Sequence, residues 1–250
     1  MRKHIFLLTL LIGGLVAASA ALFLNISFLP VRASEEGKAI DHTLGLLLAI
    51  AGGMFALILV LLVYGAVLFR RRPGEEGDGR PVQSNMVLVG AFFLIPAALI
   101  LWSATFGAVK LQEVSGPLTG YHEGLKQVGG PLVPAERELE VKVVAFQWGW
   151  QFEYPQFGIT SGELVLPAGR PVHYSLTSRD VVHSFWVPEW RVKMDTLPGM
   201  VTRLRVTPNR EGQYKAVCAE LCGLGHTVMA APVKVVSEEA FQSWVRERKR

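Results

Sequence analysis

The sequence predicts a membrane helical hairpin followed by an extracytoplasmic β-sandwich with a metal site. Apolar residues make up 50% of the chain, and they are concentrated in the first 110 positions. Short segments separated by Pro and Gly begin near residue 137, which is typical of a sandwich. Both cysteines of the 250-residue chain fall in one loop, residues 218–232.

Two long apolar stretches predict the hairpin. Residues 44–69 and 86–109 are each longer than the ~20 residues that cross a bilayer as a helix. Three consecutive arginines open the loop of about residues 70–85, so the positive-inside rule places this loop in the cytoplasm. We therefore expect a hairpin over residues 41–110, with everything after it on the extracytoplasmic side.

The N-terminal segment, residues 1–40, fits two interpretations. Basic residues followed by an apolar run and Ala18-Ser19-Ala20 are typical of a signal peptide with a small-residue cleavage site. The same run also fits a third transmembrane helix. Because it continues to residue 29, further than a signal core needs, a retained helix with a short outer loop is favoured.

The rest of the chain divides into a linker and a sandwich domain. Residues 111–136 are rich in Gly, Pro and polar side chains, which indicates a linker. The domain predicted over residues 137–250 begins with an alternating strand at 138–144. Further strands are predicted at residues 164–166, 173–176, 202–206, 213–217 and 231–236, and one helix at 237–248.

The loop at residues 218–232 gathers metal-binding side chains at short spacing. Cys218, Cys222 and His226 are four apart, and Met229 follows three residues later. Two glycines between them favour a compact loop over a helix. Such a loop aims two thiolates, an imidazole and a thioether at one point, and these soft ligands are those that copper prefers.

Spacing alone leaves three other interpretations open. The cysteines fit a disulfide, since extracytoplasmic cysteines usually pair, and they fit a structural zinc site with two histidines. The methionine and histidine also fit ordinary packing. A further ligand must come from another loop, and His183 is the best candidate because a turn-like segment precedes it and aromatic residues follow.

The same motifs resemble a known family. The segments DVVHSFWVPEWRVKMDTLPG (residues 180–199) and GQYKAVCAELCGLGHTVM (residues 212–229), with a membrane hairpin in front, resemble subunit II of the haem-copper cytochrome c oxidases. Zinc sites and disulfides do not produce the order His, long gap, Cys, Glu, Cys, His, Met. The resemblance covers about residues 44–245 and implies a cupredoxin-like Greek-key β-sandwich that carries the dinuclear copper centre CuA.

The resemblance implies six residues around two copper ions: two bridging thiolates, one imidazole for each copper, a weak thioether and a weak backbone carbonyl. The bridging thiolates match Cys218 and Cys222, and the imidazoles match His183 and His226. The thioether matches Met229, and the backbone carbonyl matches Glu220. In the family, the glutamate carboxylate also binds Mg²⁺ at the interface with the catalytic subunit. The expected cofactors are therefore two copper ions and a magnesium ion.

The resemblance also implies partners and a route for electrons. Trp148 matches the tryptophan at which electrons from cytochrome c enter, and Glu153 and Asp180 match acidic residues that face this basic donor. Electrons then pass to haem in oxidase subunit I, where oxygen is reduced to water with proton translocation. The complex as a whole is the enzyme, and it lies with its lipid neighbours in the plasma membrane of a prokaryote.

A membrane-anchored copper-binding or copper-delivery protein is the alternative, although such a carrier needs neither the hairpin nor Trp148 nor Glu220. The chain departs from the family at Val89, seven residues before Pro96, where many members carry a glutamate that helps proton uptake. Without a Cys-x-x-Cys-His motif, the donor is expected to be a separate protein. The net charge of +4 comes largely from the predicted cytoplasmic arginines and the C-terminal basic residues, so it does not indicate nucleic acid binding.

Overall fold

The computed structural model describes residues 2–25, 29–70, 73–74, 85–115 and 138–249. Most of the predicted cytoplasmic loop and most of the predicted linker lie outside these residues. The chain forms two compact units: Met1–Phe28 with His42–Val109, and Leu29–Asp41 with Lys110–Arg250. The predicted combination of apolar helices and a cupredoxin-like β-sandwich is confirmed.

Three long helices form the apolar part of the chain. They are α1 (Arg2–Asn25), α2 (Glu36–Leu68) and α3 (Met86–Ser115). Each is long and apolar enough to span a membrane. Helix α2 begins eight residues before the predicted apolar stretch, because its first two turns are polar and carry no hydropathy signal.

Helices α1 and α2 approach closely where α2 has no side chains. A Cβ atom on Gly52 would lie 2.1 Å from Ser19 Oγ and 2.9 Å from the Phe23 ring, and one on Gly45 would lie 3.0 Å from the Phe23 carbonyl oxygen. Small residues of this kind let helix backbones pack together in a membrane. The α1 sequence is therefore fitted to a specific face of α2.

In the described part of the chain, ten strands form two five-stranded sheets. The strands are β1 (Leu139–Phe146), β2 (Gly149–Tyr154), β3 (Ile159–Ser161), β4 (Leu164–Pro167), β5 (Val172–Ser178), β6 (His183–Trp186), β7 (Lys193–Thr196), β8 (Thr202–Val206), β9 (Gly212–Cys218) and β10 (Ala230–Val236). The first sheet has the order β3-β2-β1-β5-β8, and the second has the order β4-β10-β9-β6-β7. Helix α4 (Glu238–Arg248) follows the last strand.

Alternating side chains build the core between the sheets. In β1, Val141 and Val143 are buried while Glu140 and Lys142 are exposed, as the sequence pattern predicts. Tyr154 ties the sheets together from β2, because its hydroxyl donates to the Val165 carbonyl at 3.0 Å and accepts from the Val165 N–H at 2.8 Å. Burial raises the pKa of Tyr154, so this hydroxyl keeps its proton.

The segment Leu29–Asp41, which we call the clasp, belongs to the sandwich unit. Ser34 is fully buried and donates from its hydroxyl to the Trp190 carbonyl at 2.9 Å. The Glu36 carboxylate accepts from the N–H and the hydroxyl of Thr207 at 3.0 Å each. Arg191 donates from Nε to Asp41 at 2.7 Å. The clasp thus completes a domain whose strands begin about a hundred residues later.

An ion-pair cluster joins α4 to the second sheet and predicts a pH-dependent contribution to stability. Glu163 pairs with Lys234 of β10 at 2.8 Å and with Arg248 of α4 at 3.0 Å. The hydrogen bond from Lys234, aided by both positive charges, lowers the pKa of Glu163 below its ordinary value of 4.5. This stabilisation is complete above the ordinary value and is lost as pH falls through the lowered one.

We therefore expect Glu163→Gln to lower the free energy of unfolding of the sandwich by about 0.5 to 1 kcal/mol at pH 7. The difference from the parent should shrink as pH falls through the lowered pKa of Glu163, where the parent carboxylate also becomes neutral. Urea unfolding of the full-length chain, followed by tryptophan fluorescence, measures it. Glu211→Gln is the control, since Glu211 has no ion-pair partner among the described residues. A difference that persists unchanged at pH 3 would rule out this account.

The close approach of α1 to α2 predicts that residues 1–28 remain in the mature protein. Cleavage after Ala20 would remove Ser19, whose hydroxyl lies where a side chain at Gly52 of α2 would otherwise be. N-terminal sequencing and intact mass of the chain purified from membranes measure this directly. A mature N-terminus just after Ala20 would show that the segment is a signal peptide.

Candidate metal centre

Three neighbouring strands of the second sheet bring the candidate ligands together. His183 begins β6, Cys218 ends β9, and Met229 directly precedes β10. Strands β6 and β9 are antiparallel, with Phe185 opposite Cys218, so the start of one strand lies beside the end of the other. The Cys218 N–H donates to the Met229 carbonyl at 3.1 Å, which closes the loop between β9 and β10.

The sulfur and nitrogen atoms of these residues face one another. The Sγ atoms of Cys218 and Cys222 are 3.7 Å apart, and both thiols are free and buried. Around them lie His183 Nδ1 at 3.9 Å from Cys218 Sγ, and His226 Nδ1 and Met229 Sδ at 3.6 and 3.8 Å from Cys222 Sγ. The metal-binding atoms of His183, Cys218 and Cys222 all lie within 4.8 Å of one another.

The backbone of the loop adds an oxygen to this group. The carbonyl of Glu220 lies 3.2 Å from Cys218 Sγ, whereas its side chain is exposed. Burial and the neighbouring Cys218 thiol raise the pKa of Cys222 to about 11. The Cys222 thiol is thus held as a protonated, uncharged group, and a metal that binds there replaces its proton.

Asp180 orients His183. The Oδ1 atom of Asp180 lies 2.8 Å from Nε2 of the fully buried His183 ring. An ionised carboxylate fixes the proton on Nε2 and leaves the Nδ1 lone pair facing Cys218, which is the arrangement found around metal-binding histidines. Burial alone would raise the pKa of Asp180, but hydrogen bonds from His183 and from the N–H groups of Gln147 and Val181 lower it to about 2.

The turn between β1 and β2 covers the ligand loop from the first sheet. Gln147 and Trp148 form the turn that joins the two strands. The Gln147 side chain donates to the Cys222 carbonyl at 2.8 Å, and the Trp148 indole donates to the same oxygen at 3.2 Å. The Gln147 N–H also donates to Asp180 Oδ2 at 2.6 Å.

The ligand loop, against which the Trp148 ring lies, carries exposed apolar side chains. Leu224 is 99% exposed and Trp148 is 42% exposed, and Leu221 and Val228 are also largely exposed. We call Leu221, Leu224 and Val228 the apolar rim. Sequence reasoning missed it, although the signal was present: three large apolar residues lie between the ligands of a loop too short to bury them.

The predicted docking carboxylates already have partners within the chain. Asp180 binds His183 and Gln147, as described above. Glu153 accepts from Gln151 at 2.8 Å and pairs with Lys142 at 3.1 Å. Each keeps part of its carboxylate in solvent, so both remain predictions as contacts for a basic donor.

The donor set fits copper. Two buried sulfurs, two imidazole nitrogens and a thioether converge, and soft thiolate and thioether ligands favour copper over harder ions. Structural zinc sites use thiolates, imidazoles and carboxylates, and give no role to Met229. Hydrogen bonds orient His183 and hold the Cys222 carbonyl.

Comparison with known proteins identifies the family to which the chain is similar. Residues 159–236 match the family model for the cytochrome c oxidase subunit II periplasmic domain. Cytochrome c oxidase subunit 2 of Thermostichus vulcanus is 33% identical over 256 residues, covering 88% of this chain and 78% of the relative. The Synechocystis sp. protein of the same name is 30% identical over 269 residues, covering 95% and 81%.

A solved structure of the periplasmic domain of subunit II of cytochrome oxidase (CoxB) of Bradyrhizobium japonicum is 28% identical, with a TM-score of 0.43, and covers 48% of this chain and 96% of that chain. The two relatives above align over both the helices and the sandwich at 30% identity or more. The chain belongs to the cytochrome c oxidase subunit II family.

Proposed function

We propose that this chain accepts electrons from cytochrome c at a dinuclear copper centre, CuA, and passes them to haem in oxidase subunit I. Family membership makes the chain a subunit of a haem-copper oxidoreductase complex. The observation that carries the finer proposal is the convergence of two free thiols, two imidazoles and a thioether beneath a partly exposed tryptophan.

The chain's own residues define what the centre can do. Cys218 and Cys222 would hold the copper ions through their thiolates, and His183 and His226 would hold them through their imidazoles. Met229 and the Glu220 carbonyl would be the weak ligands. The bound copper pair would accept and release one electron. Because hydrogen bonds hold its ligands in place, the geometry of the centre would change little on reduction.

The surface above the centre suits a protein donor. Trp148 would be the point where electrons enter, because its indole is exposed on one side and bonded to the Cys222 carbonyl on the other. The apolar rim on the same loop offers an apolar surface from which a docked protein would exclude water. The exposed edges of Glu153 and Asp180 would attract the basic face of cytochrome c and speed the encounter.

The remaining proposals concern neighbours of the chain. The exposed Glu220 carboxylate is free to bind Mg²⁺ at the interface with subunit I, while the carbonyl of the same residue faces the thiols. The three apolar helices would be surrounded by lipid and other oxidase subunits in the plasma membrane of a prokaryote. Reduction of oxygen and proton translocation would take place in the partner subunits.

Copper stoichiometry tests the centre. We expect two copper ions per chain in the full-length protein and an electron paramagnetic resonance signal split by two equivalent copper nuclei. Cys222→Ser should abolish the signal, whereas Met200→Leu, an exposed methionine outside the cluster, should leave it intact. A single mononuclear copper, or a Cys218–Cys222 disulfide without copper, would overturn CuA and favour a membrane-anchored copper-binding or copper-delivery protein.

A conservative change at Trp148 tests the point where electrons enter. In the purified oxidase, we expect Trp148→Phe to slow reduction of the centre by cytochrome c about tenfold or more, since small losses of coupling geometry have large kinetic effects. Copper content and reduction by dithionite should not change, because the ligands are intact. Stopped-flow absorbance measures both reactions. Equal rates with cytochrome c for variant and parent would contradict this role.

A further inference from the structure

The Trp148 ring lies directly on the backbone of the ligand loop. A Cβ atom built on Gly225 would lie 2.4 Å from Cδ2, 2.5 Å from Cγ and 2.9 Å from Cε3 of the indole. A Cβ atom on Gly223 would lie 3.2 Å from Cζ2 of the same ring. The ring can occupy this place only because the loop carries no side chain beneath it.

Different structural constraints favour glycine at these two positions. Gly223 has a φ of 112°, a conformation that other residues rarely adopt, so its backbone alone accounts for it. Gly225 has φ −88° and ψ 10°, which an alanine tolerates. Backbone conformation therefore does not explain Gly225, and the contact with the Trp148 ring does.

We propose that Gly225 is a positioning residue for electron transfer, resting on the proposed function of Trp148. Without a side chain at Gly225, the indole lies flat against the loop that holds Cys222 and His226. In this position its Nε1–H reaches the Cys222 carbonyl at 3.2 Å. Gly225 thus sets how closely the ring approaches the candidate ligands, although it binds neither copper nor donor.

Gly225→Ala should displace the ring without altering the ligands. Contacts below 3 Å to three ring atoms cannot be kept, so the indole must move away from the loop and weaken its bond to Cys222. We expect reduction of the centre by cytochrome c to slow about tenfold, by the loss of close orientation. Copper content, the resonance signal and reduction by dithionite should match the parent.

The test compares four variants in the purified oxidase: Gly225→Ala, Trp148→Ala, the double variant, and Gly162→Ala. Gly162 is the matched control, because an added Cβ there meets no atom within 4 Å. If the methyl group acts only through the ring, the double variant should reduce at the rate of Trp148→Ala, with no added loss. In the copper-free full-length chain, the emission assigned to Trp148 should be quenched more readily by acrylamide in Gly225→Ala.

Each other outcome overturns a defined claim. An unchanged rate in Gly225→Ala, or a double variant slower than Trp148→Ala, would overturn the positioning role alone. Loss of copper from Gly225→Ala would do the same, since the methyl group would then be disturbing the ligand loop. An unchanged rate in Trp148→Ala would instead overturn the proposed electron route, and the role of Gly225 with it.

Discussion

Both halves of the candidate copper centre depend on hydrogen bonds from Gln147. Its N–H holds the Asp180 carboxylate, which in turn orients His183, and its side chain holds the carbonyl of Cys222. These ligands lie on the second sheet, whereas Gln147 lies in a turn of the first. The second sheet sets the spacing of the candidate ligands, and its packing against the first sheet holds two of them in place through Gln147.

The same turn separates the protected side of the site from its exposed side. Gln147 points its amide at the ligand loop, and Trp148 next to it covers the loop and faces solvent. A site buried against water but one ring away from the surface suits the electron exchange that we propose for this oxidase subunit. Burial excludes competing ligands, and the single covering ring keeps the path to the outside short.

Features with a local signature could be predicted from the sequence. The apolar stretches, the alternating strand before Phe146, and the short spacing of Cys218, Cys222 and Met229 are all visible within a few residues. The hydrogen bonds between distant parts of the chain could not be predicted in this way. Gln147 and Cys222 are separated by 75 residues, and Glu36 and Thr207 by 171, and no sequence pattern marks either pair. Asp180 has one contact of each kind, with His183 three residues away and with Gln147 thirty-three residues away.

The clasp has a consequence for biogenesis. Glu36 is synthesised 171 residues before the threonine that it binds, so the buried Ala33 and Ser34 have no partners while the later helices insert and the strands cross the membrane. Closing so long a loop is slow, because its entropy is lost before the contacts form. The sandwich domain therefore reaches its final form only after its last strands have been synthesised.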